Sequence, residues 1–114
     1  MDSVGSIAMS GMLAAEQRLN VAARNIANAS TGLPADAPAD VANAFQALRA
    51  DQTQTPGGGT AVTVRAQFPN DALGGVDLSS QAVQVMASRY SFAANVAVMR
   101  SAAQMQKVLL DTFV

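Results

Sequence analysis

The sequence predicts a mainly α fold: long N- and C-terminal helices packed as a coiled-coil-like pair, with a short β-hairpin or loop insertion between them as a minor β part. Three observations predict it. Apolar residues recur at helical spacing at both ends, all four Pro and six of the eight Gly fall between residues 31 and 75, and one stretch of that centre alternates as a strand does. The expected organisation is an N-terminal helix in residues 1–30, a Pro/Gly-rich hairpin region at 31–75 and a C-terminal helix in 76–114.

From Ser3 to Asn28 there is no Pro, and Val4, Ala8, Met12, Ala15, Leu19, Ala22 and Ile26 recur at spacings of three and four. That is one face of a helix running from about residue 3 to 29. Asp2 or Ser3 can accept from its first free amides, and Ser30, Thr31 and Gly32 before Pro34 make a stop. In the centre, TAVTVRAQF at Thr60–Phe68 sets Ala61, Thr63, Arg65 and Gln67 against Val62, Val64, Ala66 and Phe68, a half-buried strand. Pro56–Gly59 precedes it as a turn, with Phe45–Gln54 as the partner strand. Residues 41–49 also fit a short helix, and a helical turn near Pro38–Asn43 is compatible with the hairpin.

From Asp77 to Val114 Pro and Gly are again missing, and Leu78, Ala82, Val85, Arg89, Phe92, Val96, Met99, Ala103, Gln106, Leu110 and Phe113 form a heptad seam with two polar exceptions. A second apolar row holds Val83, Met86, Tyr90, Ala94, Ala97 and Met105. A helix of about 54 Å cannot bury both rows in a chain of 11.7 kDa. The expectation is a coiled-coil hairpin with the N-terminal helix, or a helical array of several subunits.

Composition removes whole classes of function. No Cys and no His leaves no thiolate, no disulfide, no zinc cluster and no imidazole base, so no enzyme activity, cofactor or metal is expected. Seven Lys plus Arg against eight Asp plus Glu, with no basic run, argue against nucleic acid as a partner. Asp36 and Asp40 lack a third ligand, and the Gly57–Gly59 run lacks the Lys and Ser/Thr of a phosphate loop. Neither is read as a site. Arg89 on the seam is expected to reach the helix edge or pair with Asp77 or Glu16. The Met residues read as adaptable packing. No cleavable signal peptide or membrane-spanning helix is expected either.

Two segments carry a resemblance. SGMLAAEQRLNVAARNIANAST, Ser10–Thr31, resembles the N-terminal signature of the bacterial flagellar axial proteins, the rod and hook subunits, with Gln17, Leu19, Asn25, Ile26, Ala27, Asn28, Thr31 and Gly32 close to its pattern. Val76–Val114 resembles that family's C-terminal helix through Val76, Asp77 and Leu78 at its start, Ala94 and Asn95 in its middle, and Met105, Leu109 and Leu110 at its end. Phe92, Arg24 and Leu33 depart from the pattern, where the family has Tyr, Asn and an aromatic. The short centre is most similar to the proximal rod subunits, the C-type among them, or to a short divergent relative.

The resemblance implies a structural subunit of the flagellar basal-body rod. It would leave the cytoplasm through the flagellar type III export apparatus without a cleaved signal and polymerise with itself and other rod proteins across the periplasm. The residues expected at the assembly interface are Met12, Gln17, Leu19, Asn25, Ile26, Asn28, Thr31, Gly32, Leu78, Val85, Phe92, Asn95, Val96, Met99, Met105, Leu109 and Leu110. Asn25 and Asn28 read either as solvated polar residues or as amides bridging neighbouring subunits. A small-molecule substrate is not expected. The rival reading is a soluble helical adaptor or export chaperone of a flagellar or type III secretion system, which has no reason to carry both terminal motifs.

Overall fold

The computed structural model describes residues 2–30, 45–67 and 76–113. They form helix α1 (Asp2–Ala27), strand β1 (Leu48–Thr55), strand β2 (Gly59–Ala66) and helix α2 (Leu78–Thr112). The fold is mainly α, with two helices and one small antiparallel hairpin between them in sequence.

Helix α1 begins at Asp2, so Ser3 lies inside it rather than before it. It closes in a turn at residues 28–30, where the Asn28 N–H donates to Arg24 O and the Ala29 N–H to Ile26 O. Helix α2 is capped by Asp77, which stands in extended conformation and accepts from the Ser79 backbone N–H at 3.0 Å. Its 35 residues make a rod of about 52 Å. The helices run antiparallel: Asn25 meets Gln81, Arg18 meets Ser91, and Gly11 lies against Asn95. At that register Asp2 stands opposite roughly residue 104, so the last turns of α2 run past the start of α1.

The hairpin pairs Leu48 with Ala66 through to Thr55 with Gly59. Pro56 and Gly57 occupy the corners of the turn, and Gly57 and Gly58 take φ of +97° and +81°, the region where a Cβ is penalised. The partner strand begins at Leu48 rather than at the expected Phe45, so Leu48 and Arg49 are strand and not helix, while residues 41–44, the rest of Pro38–Asn43, Asp36 and Asp40 lie outside the described residues. The predicted alternation holds in part: Val62 and Ala66 are half-buried and Ala61, Thr63 and Arg65 face out, but Val64, expected on the buried side, is exposed.

The core is small in both senses. Ala8, Ala14, Ala15, Val21, Ala22 and Ala102 are its buried apolar side chains, joined by Asn25 and Ser88. Small side chains let the helix axes approach. At Gly11 a Cβ would stand 2.7 Å from the Asn95 amide atoms, so glycine is required by that approach. Each buried methyl contributes only about 0.8 kcal/mol, so most of the large apolar side chains remain outside this core.

The buried row of α2 differs from the predicted seam. Ser88 and Ala102 are buried and Gln81 and Asn95 half-buried, seven residues apart in turn, whereas Leu78, Phe92, Leu110 and Phe113 of the predicted row are exposed. The most buried row of α2 is thus small and polar, as a close backbone approach requires, and Val85, Val96 and Met99 of the predicted row flank it half-buried. Arg89 is exposed and makes no ion pair with Asp77 or Glu16.

Candidate assembly interface

Three elements meet at Asn25. Its side chain is 1% exposed, donates from Nδ2 to the Leu48 carbonyl at 2.8 Å and to Gln81 Oε1 at 3.0 Å, and accepts from the Leu48 N–H at Oδ1 at 2.8 Å. One primary amide thus fastens the start of β1 to both helices and leaves no polar atom of its own unmatched. Of the two readings of Asn25, the solvated one is excluded, and the bridge it forms lies within one chain. Asn28 turns back on its own helix end, donating from Nδ2 to Arg24 O at 2.8 Å.

Two further residues of α1 hold the hairpin. The Ser10 hydroxyl accepts from the Thr60 N–H at 3.1 Å, and Arg18 donates from Nη1 to Gln52 Oε1 and from Nη2 to Ser91 Oγ, both at 3.2 Å. Sequence reasoning missed both, because a serine and an arginine on a helix carry no local mark of partners 50 and 34 residues away. Across α1 from the hairpin, Ala15, Glu16, Leu19, Ser88, Arg89 and Phe92 line an open groove between the helices, of about 420 Å³. Ser88 is 1% exposed and its hydroxyl has no partner among the described residues.

Asp77 has its carboxyl lowered to about 2 by hydrogen bonds from the Ser79 and Ser80 hydroxyls, each at 2.6 Å, with backbone N–H groups assisting. The described residues bring no three His, Cys, Asp or Glu together as a metal site. None of their helices is long and apolar enough to cross a membrane.

The predicted interface residues fall into three places. Met12, Leu19, Val85, Asn95, Val96 and Met99 are half-buried along the helix pair, and Asn25 is fully buried. Gln17, Ile26, Leu78, Phe92, Met105, Leu109 and Leu110 are exposed, Asn28 is half-buried at the end of α1, and Thr31 and Gly32 lie outside the described residues. The second apolar row is bare as well, with Met86 63% and Tyr90 80% exposed. Large apolar side chains in such rows are the ordinary mark of a surface that another protein covers.

Residues 6–32 match the family model described as flagella basal body rod protein. Over this segment the chain is similar to flagellar rod proteins. That segment spans α1 from Ser6 onward and ends just past it, so Ser10, Arg18 and Asn25, which hold the hairpin, all lie inside it. The match covers 27 of the 114 residues and supports a likeness to structural rod proteins over that segment. No curated protein matches the chain.

Proposed function

We propose that the chain is a rod subunit that polymerises with copies of itself and with other rod proteins through the apolar rows of its two helices. The observation that carries this reading is the bare apolar rows of α2, with Val83, Met86, Tyr90, Met105, Val108, Leu109 and Leu110 exposed, on a chain whose residues 6–32 match the rod family. Repeated head-to-tail contacts of that kind grow a tube or filament, whereas a two-fold contact closes. The interface set is the predicted one, with Leu19 and Phe92 at the groove between the helices and Met105, Leu109 and Leu110 on the far end of α2. Thr31, Gly32 and Gln17 belong to it through the family resemblance. The hairpin, fastened by Asn25, rides outside the helical core, and the terminal segments 1–30 and 76–114 act as that core with 31–75 as its insertion.

In this reading the subunit passes through the flagellar type III export apparatus and assembles across the periplasm, with no cofactor, substrate or nucleic acid involved. The test is sedimentation and circular dichroism across a wide concentration range, followed by electron microscopy, alone and with other rod proteins. Open-ended polymers or mixed rods that are lost in Leu19→Asp and Phe92→Asp are the expected result. A closed dimer of fixed size at every concentration would move the reading to the adaptor, and assembly unaffected by both substitutions would remove the proposed interface.

A further inference from the structure

The outer edge of β1 lies apart from the apolar rows of the helices. The Gln67 N–H bonds to Ala47 O, and in the register that pairs Leu48 with Ala66 this turns the backbone groups of the odd-numbered residues of β1 toward β2. The even-numbered ones point away from β2. The side-chain bonds agree, since both Asn25 contacts to Leu48 and the Ser10 contact to Thr60 land on even-numbered backbone groups. At Leu48, then, the Asn25 amide does what a neighbouring strand would do: it accepts from the N–H and donates to the C=O. Beyond it the N–H and C=O groups of Ala50, Gln52 and Gln54 face outward with no partner among the described residues.

This open edge faces a cleft rather than bulk surface. The cleft, of about 560 Å³, is walled by Ala50 and Gln52 of β1 and by Gln81 and Gln84 of α2, with Arg18 between, and its other charges, Arg49 and Asp51, are paired with each other. A volume of that size lies in the range that holds ligands. A strand edge opposite a helix is the arrangement in which an extended peptide adds as a further strand. The guanidinium adds a charge preference. Arg18 is half-buried, both of its terminal nitrogens bond to neutral oxygens, and its Nε is buried without any acceptor. Among the described residues the one ion pair is Arg49–Asp51, so none of their carboxylates pairs with Arg18.

We propose that the cleft between β1 and α2 binds an extended segment of another protein, paired by its backbone to Ala50, Gln52 and Gln54 and carrying a carboxylate that meets Arg18. A second copy of this chain is the poorer occupant: its β2 has no acidic residue, and the acid of its β1, Asp51, is already paired with Arg49. The proposal stands apart from the rod reading, since its test runs on the isolated chain and asks nothing of assembly.

The probe is an eight-residue peptide of alternating Thr and Val with a free C-terminal carboxylate, compared with its amidated twin, titrated into the isotopically labelled full chain. The expected result is saturable shifts and slowed exchange at the amides of Ala50, Gln52 and Gln54, with binding about tenfold weaker for the amidated peptide and for Arg18→Gln. Gln52→Pro is the second variant. It removes an outward N–H that the hairpin ladder does not use and, with it, the Gln52 contact of Arg18. Gln52→Ala, which loses only the side-chain contact, is its control. Binding is lost in Gln52→Pro and kept in Gln52→Ala, with the cross-strand amide protection of the hairpin checked in both. Either of three results overturns the proposal: no shift at β1, equal binding of both peptides to the original chain and to Arg18→Gln, or protection of the same amides by self-association without peptide.

Discussion

Replacing Asn25 by Ala removes the three hydrogen bonds that join α1, β1 and α2, at 2.8, 2.8 and 3.0 Å. At about 1 kcal/mol each the loss is about 3 kcal/mol, and a truncated side chain leaves the Leu48 N–H and C=O without their acceptor and donor. Leu48 is half-buried, so water relieves part of that penalty and the sum stays near the plain total. For a domain of this length the expected fall in Tm is roughly 10 °C, read by circular dichroism at fixed protein concentration. Asn25→Asp adds a second arm. It keeps an acceptor for the Leu48 N–H but turns a carboxylate toward the Leu48 C=O and Gln81 Oε1, both acceptors. Burial and those oxygens raise its folded-state pKa, so the destabilisation is full above that pKa and relaxes as the pH falls through it and an O–H donor returns. A change below about 0.5 kcal/mol for Asn25→Ala, within the range of ordinary surface substitutions, would refute the three-way joint.

Two glycines of α1 give opposite signs. Gly5→Ala meets nothing within 4 Å and should gain about 1 kcal/mol in urea unfolding, while Gly11→Ala drives a methyl into the Asn95 amide, which is itself held by Ser91 O at 2.8 Å, and should lose about 1 kcal/mol net. Equal effects at the two sites would contradict the close helix approach. Asp77 caps α2 with a carboxyl held at about 2 against an ordinary 3.8, so its contribution is present above about pH 4 and fades as the pH falls toward 2. Melting curves of the original chain and Asp77→Asn should differ at neutral pH and converge in acid; a constant difference down to pH 2 would reject the cap. Leu19→Asp and Phe92→Asp should prevent co-assembly with rod proteins while leaving helicity intact, as read by sedimentation and circular dichroism.

Both helices were readable from periodicity and the hairpin from Pro56–Gly59 and the alternation after it, because each signal is local: backbone preference and a single buried face suffice. The buried face of α2 was harder. Hydrophobicity selects Leu78, Phe92 and Leu110, yet the row that meets α1 runs through Gln81, Ser88, Asn95 and Ala102, where backbone approach rather than apolar area decides. Asn25 and Asn28 come together through the family resemblance, and the joint at Asn25 rests on Leu48 and Gln81, 23 and 56 residues along the chain. No window of local sequence contains those partners. The same holds for Ser10 and Arg18.

The joint at Asn25 also sets an order of events in folding. Hairpin pairing closes within a few residues, Asn25 reaches Leu48 across 23 residues, and Gln81 across 56. Since the entropy lost on closing a loop rises with its length, the hairpin on α1 is the cheaper intermediate and α2 docks last. On partial unfolding α2 should therefore release first, with the Leu48 amide still protected when the amides of α2 already exchange. A subunit that loosens in this sequence offers the two apolar rows of α2 to a neighbour while keeping its hairpin in place.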